Sequence, residues 1–250
     1  MARYFIEVAY KGTAYSGFQI QENANTIQSE VEKALFTLHR HPFLLTGSSR
    51  TDAGVHALQN YFHFDYQHPI HPQAVYKLNA ILPPDIVVRS IHLMSNEAHA
   101  RFDAISREYT YKIHSFKNPF LANASLYYPY KLDIDLLQAG AAYVLTQQNF
   151  FAFSKTNTQV KNFQCTISKS QWLVKEEGLS YNIEGNRFLR GMVRMLTATL
   201  LKLGRGKISL QEFEAFFHSA ARSSFSLSAD GLYLIRVVYP SAFFSSFTTL

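Results

Sequence analysis

Apolar and polar positions alternate over Tyr4–Tyr10, the period of a strand, until Lys11-Gly12-Thr13 breaks the pattern. Ile27, Val31, Ala34, Leu35 and Leu38 then fall on one face of a 3.6-residue spiral and predict a helix. Asn25 or Thr26 stands where its cap belongs, and Pro42 lies beyond its end. Phe43–Thr46 and Tyr61–Phe64 read as strands on either side of a glycine-containing loop, Gly47–His56. Val75–Leu82 predicts a short helix stopped by Pro83-Pro84, and Ile86–Ile91 a strand. Strand, helix, strand, strand, helix, strand is the order of a split βαβ unit.

The second half repeats the theme. Strands are predicted over Glu108–Ser115, Thr166–Val174, Leu179–Glu184 and Leu232–Val238. Helices are predicted over Leu136–Leu145, Phe188–Leu203 and Leu210–His218, the second of these stopped by Gly204. The expected class is α+β: two split-βαβ halves, residues 1–104 and 105–250, with antiparallel or mixed sheets. No short-period repeat or low-complexity segment interrupts them.

Composition narrows the picture. With 47% apolar and 17% charged residues among 250, wholesale disorder is excluded and one or two cores are affordable. The net charge of +6 favours an anionic partner, nucleic acid above all, over a merely basic soluble protein. The charge is concentrated, with ten Lys or Arg against three Glu between 155 and 207. One cysteine, Cys165, excludes an internal disulfide and a cysteine-pair zinc site, and it points to a reducing, cytoplasmic location. Glu7 interrupts any apolar leader, and the uncharged run Leu136–Ser154 carries Gln138, Gln147, Gln148 and Asn149, so no membrane span is expected.

Candidate chemistry is densest in Gly47-Ser48-Ser49-Arg50-Thr51-Asp52-Ala53-Gly54-Val55-His56. A carboxylate two residues from a guanidinium can stay ionised and act as nucleophile or general base. The same residues also suit an Asx-turn that closes a hairpin. On the predicted helix Phe188–Leu203 the apolar residues fill one arc, while Arg187, Arg190 and Arg194 gather within about 60° on the other side, at 100° per residue. Three arginines without interspersed Glu suit a phosphate backbone better than an ordinary solvated face. Tyr109 and Tyr111 share a strand face beside Arg101 and Arg107, where they are either core or a platform for an unpaired base.

Weaker arrangements are set aside. His39/His41 and His68/His71 lack carboxylate or Cys partners at metal spacing and read as surface histidines; no metal is expected. Ser48 or Ser49 with His56 lacks a nucleophile elbow, and Lys202-Leu-Gly-Arg-Gly-Lys207 is not a phosphate-binding loop. Asp133 and Asp135 open a helix, and Cys165 reads as a half-buried structural thiol.

Six ordered segments resemble the TruA family of tRNA pseudouridine synthases over roughly residues 3–240. Arg50-Thr51-Asp52-Ala53-Gly54-Val55-His56-Ala57 resembles the family's catalytic signature. Similar matches are Gly12-Thr13…Tyr15-Ser16-Gly17-Phe18-Gln19 with Thr26-Ile27-Gln28, and Asn79-Ala80-Ile81-Leu82-Pro83. His99-Ala100-Arg101-Phe102 with Arg107-Glu108-Tyr109-Thr110-Tyr111, Phe188-Leu189 with Met192-Val193-Arg194, and Gly231-Leu232 with Val237-Val238-Tyr239-Pro240 complete the set. The chain departs from the family pattern at Lys11, Ala98, Gln148-Asn149, Cys165, Met195 and Ala198.

The resemblance implies two ferredoxin-like halves flanking a basic cleft, and a cofactor-free homodimer that converts uridine to pseudouridine at positions 38, 39 and 40 of the tRNA anticodon stem–loop. It implies that Asp52 is the catalytic carboxylate acting on a flipped-out uridine, with Arg50 and Arg194 around it. Tyr109 would stack on the uracil and Leu232 would wall the pocket. Arg187, Arg190 and Arg101 would hold RNA. The alternative reading is a tRNA-binding or folding module without catalysis.

Overall fold

The computed structural model describes residues 1–156 and 160–244. The backbone forms two compact units: residues 1–105 with the segment from Leu234 onward, and Ser106–Tyr233. Both are mixtures of helix and largely antiparallel strands, so the class is α+β.

In the first unit the chain runs β1 (Ala2–Tyr10), α1 (Ile27–His39), β2 (Thr46–Gly47), β3 (His56–Tyr66), α2 (Ala74–Ile81) and β4 (Ile86–Met94). β1 is central, antiparallel to β3 on one edge and to β4 on the other. Phe5, Ile6 and Val8 are fully buried, as a strand paired on both edges requires. Glu7 is accommodated because the Tyr61 hydroxyl donates to its carboxylate at 2.8 Å. Burial first, and then that carboxylate, push the Tyr61 hydroxyl pKa upward. Thr26 caps α1 through a reciprocal bond pair with Ser29, and Arg40 ends it in the left-handed region, φ 53°. Of the predicted strand Phe43–Thr46 only Thr46 pairs, with His63; the strand is Thr46–Gly47. The Asn79 side chain both donates to and accepts from the Val88 backbone at 2.8 Å, which ties α2 to β4 and explains an asparagine ahead of the prolines.

In the second unit β5 (Ser106–His114) is followed by β6 (Leu126–Tyr127), α3 (Ile134–Leu145), β7 (Ile167–Lys175), β8 (Gly178–Gly185), α4 (Met192–Gly204) and α5 (Leu210–Ala215). Its strands are ordered β5-β8-β7, with β6 parallel to β5. Asp133 caps α3 by accepting the Leu136 N–H. α3 packs on α4 at Gly140, where a Cβ would collide with Leu200 and Leu203. The last strand, β9 (Leu232–Val238), starts in this unit and from Leu234 belongs to the first, where it lies beside β3.

α4 corrects one expectation. It starts at Met192, not Phe188, because Gly191 takes a left-handed conformation (φ 75°) and begins the helix. Arg187 and Arg190 therefore lie on the approach to the helix, and the three-arginine helical face does not exist. α4 is a core helix: of its thirteen residues only Arg194 and Lys202 are not buried. Its buried threonines are satisfied internally, Thr197 by the Val193 carbonyl (2.7 Å) and Thr199 by that of Met195 (2.9 Å).

Candidate active site

Asp52 sits in the turn between β2 and β3, part-exposed, with Arg50 exposed two residues earlier. The turn closes through the Val55 N–H on the Asp52 carbonyl (3.2 Å). Gly54 stands in it at φ 80°, a conformation that favours glycine. The segment after β1 supports it from behind. The Phe18 N–H donates to the Thr51 carbonyl at 3.1 Å, and the Gly54 N–H to the Tyr15 carbonyl at 3.3 Å. Gly17 (φ 114°) lies so close that a Cβ there would come within 3.1 Å of the Thr51 carbonyl oxygen. Gly12 presses on the Val55 backbone, leaving no room for a Cβ. The pairing of a glycine-rich N-terminal motif with the Asp loop is thus a packing requirement.

Beneath the loop lies a buried polar chain that sequence reading missed. Asn60, fully buried on β3, donates to the Ser49 carbonyl (2.9 Å) and to the Tyr10 hydroxyl (3.2 Å). Its Oδ1 accepts from the Ser48 hydroxyl at 2.7 Å. The Tyr10 hydroxyl is 2.8 Å from the Thr51 hydroxyl. His56, 1% exposed, accepts the Gly12 N–H on Nδ1 at 3.1 Å. Each flank of Arg50-Thr51-Asp52 is therefore bonded to a core element, and Ser48 and His56 serve this scaffold. The available signal was an asparagine at an inward position of an apolar strand, where only a hydrogen-bonded amide is tolerated.

Arg101 and Arg50 line one pocket of the first unit, about 200 Å³, with Gln19, His99 and Phe102 among its other walls. Among the described residues, no Asp or Glu lines it.

The second unit holds the other candidates. Tyr109 on β5 is 9% exposed, with Phe188 edge-on at 5.1 Å between ring centroids. Tyr111, on the same strand, is core: it is wholly buried and its hydroxyl donates to the Ser228 carbonyl at 2.9 Å. Gly231 accepts the Lys112 N–H at 2.8 Å and packs against the Tyr111 ring, so a side chain there would clash and Leu232 is fixed beside β5. Arg194, in the first turn of α4, donates from Nε to the Leu227 carbonyl at 2.7 Å.

The basic stretch 155–207, whose positions 157–159 lie outside the described residues, is partly committed inside the fold. Lys169 pairs with Glu108 at 2.7 Å. The Lys202 ammonium lies 3.3 Å from the Phe225 ring centre, and Arg205 lies over Tyr130 at 3.6 Å. Arg190 is exposed and Arg187 half-buried. Cys165 is 1% exposed rather than half-buried, and burial pushes its thiol pKa up to about 11. Among the described residues, no three His, Cys, Asp or Glu side chains group as a metal site would need, and no helix is long and apolar enough to cross a membrane.

The Asp52 turn carries a part-exposed aspartate on a support of close-packed glycines and buried hydrogen bonds, and comparison with known proteins defines the class around it. The family described as tRNA pseudouridine synthase matches residues 6–103 and 141–240. The chain is 41% identical to tRNA pseudouridine synthase A of Porphyromonas gingivalis, over 98% of this chain and all of that protein. It is 40% identical to the protein of that name from Bacteroides thetaiotaomicron, covering 99% of this chain and 94% of the relative. The corresponding protein of Staphylococcus saprophyticus is 36% identical, over 94% and 90% of the two chains. The chain belongs to the tRNA pseudouridine synthase family: it is an isomerase that converts uridine to pseudouridine in tRNA.

Proposed function

We propose that the chain acts on uridines 38, 39 and 40 of the anticodon stem–loop, with Asp52 as the catalytic carboxylate. In this reading the two units are ferredoxin-like halves flanking a basic cleft, divided near residue 105. The target base must leave the stack, because its reacting atoms are inaccessible within a stem. The N1–C1′ bond then breaks, the uracil turns, and C5 joins C1′. C5 gives up its proton to solvent and N1 gains one, so atoms balance without a cofactor. Arg50 and Arg194 orient the carboxylate and occupy the space vacated by the base. Tyr109 stacks on the uracil and Leu232 forms its apolar wall. Arg187, Arg190 and Arg101 hold phosphates. The enzyme works as a cytoplasmic homodimer.

The observation that supports this reading best is the scaffold under Arg50-Thr51-Asp52. A turn that merely closed a hairpin needs no buried amide and tyrosine chain beneath it, whereas a reacting carboxylate needs its position held. The test is unmodified tRNA carrying uridine tritiated at C5, mixed with the purified protein alone. The reading requires release of tritium to water, lost in Asp52→Asn while tRNA affinity stays within about tenfold. Turnover by Asp52→Asn at the wild-type rate refutes the assignment. Tight, salt-sensitive binding by the wild-type protein without release favours the binding module.

A further inference from the structure

Phe102 is 73% exposed, although its neighbours on either side of the turn are firmly anchored. Ala98 and Ala100 are buried, and the Ala98 carbonyl accepts from Arg3 at 2.9 Å. The Ala100 carbonyl accepts from the Tyr239 hydroxyl at 2.5 Å, and its N–H donates to His63 Nδ1 at 3.1 Å. His99 Nδ1 accepts from the N–H groups of Arg101 (3.1 Å) and Phe102 (3.3 Å), and the His99 N–H donates to Asp103 at 2.8 Å. Burial lowers the pKa of both histidines, which keeps these acceptors neutral. One side of the Phe102 ring rests against His99, with centroids 4.2 Å apart, and the Arg101 guanidinium lies 5.7 Å from the ring centre.

A large apolar ring held out of the core by so many bonds is preorganised for a partner. Its surroundings say which kind. Arg101 and Arg50 line the same pocket with the amide of Gln19. Guanidinium groups suit phosphate, and an aromatic face accepts any base without regard to sequence. We infer that Phe102 is a stacking platform for an unpaired nucleotide of the tRNA, whose phosphate Arg101 holds beside the Asp52 loop. This subsite rests on the tRNA-isomerase reading and adds to it a base other than the target uridine.

The experiment measures unmodified tRNA binding over a range of salt, and C5 tritium release, for wild-type, Phe102→Ala, Phe102→Trp and Arg101→Ala proteins. Phe102→Ala should weaken binding about tenfold with the salt slope unchanged, and the loss should appear in KM more than in kcat. Phe102→Trp should restore affinity, and its added indole should be quenched when tRNA binds. Arg101→Ala should lower the salt slope by about one contact. Phe102→Ala binding like the wild-type protein overturns the proposal. So does a Phe102→Trp protein that melts normally yet binds as weakly as Phe102→Ala. If the wild-type protein releases no tritium, the isomerase reading fails instead, and the binding data judge the platform separately.

Discussion

The Asn60 side chain donates to the Ser49 carbonyl at 2.9 Å, tying β3 to the residue just before Arg50. Through Ser48 and Tyr10 the same amide reaches the residues on either side of Arg50. Removing it takes one hydrogen bond each from the buried Ser48 hydroxyl and Ser49 carbonyl. Asn60→Ala should therefore lose about 2 kcal/mol of stability. It should also lower kcat for tritium release at least tenfold, with KM changed much less. Thermal denaturation and steady-state kinetics check both. A destabilised protein with an unchanged kcat would make Asn60 structural only.

Two basic side chains of the second unit should differ in their effect on RNA. Arg190 is exposed, and the Lys202 ammonium lies 3.3 Å from the Phe225 ring centre. Arg190→Ala should lower the salt slope of tRNA binding by about one contact, and Lys202→Ala should leave it alone. Equal slopes for Arg190→Ala and wild type would remove Arg190 from the RNA surface.

His63 sets a pH dependence. Its folded pKa is depressed to about 4, first by burial and then by His99, while an unfolded histidine titrates near 6.5. Between those values the unfolded chain binds a proton that the folded chain refuses. Stability from this group is thus full above about pH 6.5 and falls as the pH drops toward 4. His63→Asn should reduce that fall by about 1–2 kcal/mol, after allowing for solvent screening. Denaturant melts at pH 7.5 and 4.5 measure it, and identical pH profiles would refute the assignment.

Cys165 should be inert in the native protein. With the thiol pKa near 11, only about a thousandth is thiolate at pH 8, and the sulfur is buried. Alkylation at pH 8 should be at least about a hundredfold slower than in denaturant. Equal rates would mean that the site opens readily.

Much of this was legible in the chain itself. β9 was readable to the residue, because Leu232–Val238 is apolar but for Arg236 and is bounded by Gly231 and Pro240. The cap of α1 was narrowed to Asn25 or Thr26, of which the structure takes Thr26, and the Asp52 turn lay between its strands. The start of α4 was not legible: Phe188 and Leu189 continue the apolar period of the helix, and periodicity cannot register one glycine in a left-handed conformation. Nor could the alternation of Tyr109 and Tyr111 distinguish a ring at the surface limit from one bonded to Ser228 in the core.

The sequence by itself determined the class of fold and the identity of the family, and it carries the residues proposed for the chemistry, since these follow from local periodicity and from short motifs. Only the tertiary structure decided that Asn60 and Tyr10 hold the Asp52 turn, that Lys202 and Lys169 are committed within the fold, and that Phe102 stands exposed while Ala100 beside it is buried. Those outcomes depend on hydrogen bonds and contacts between residues tens of positions apart, and no local pattern records which distant backbone or ring a side chain will meet.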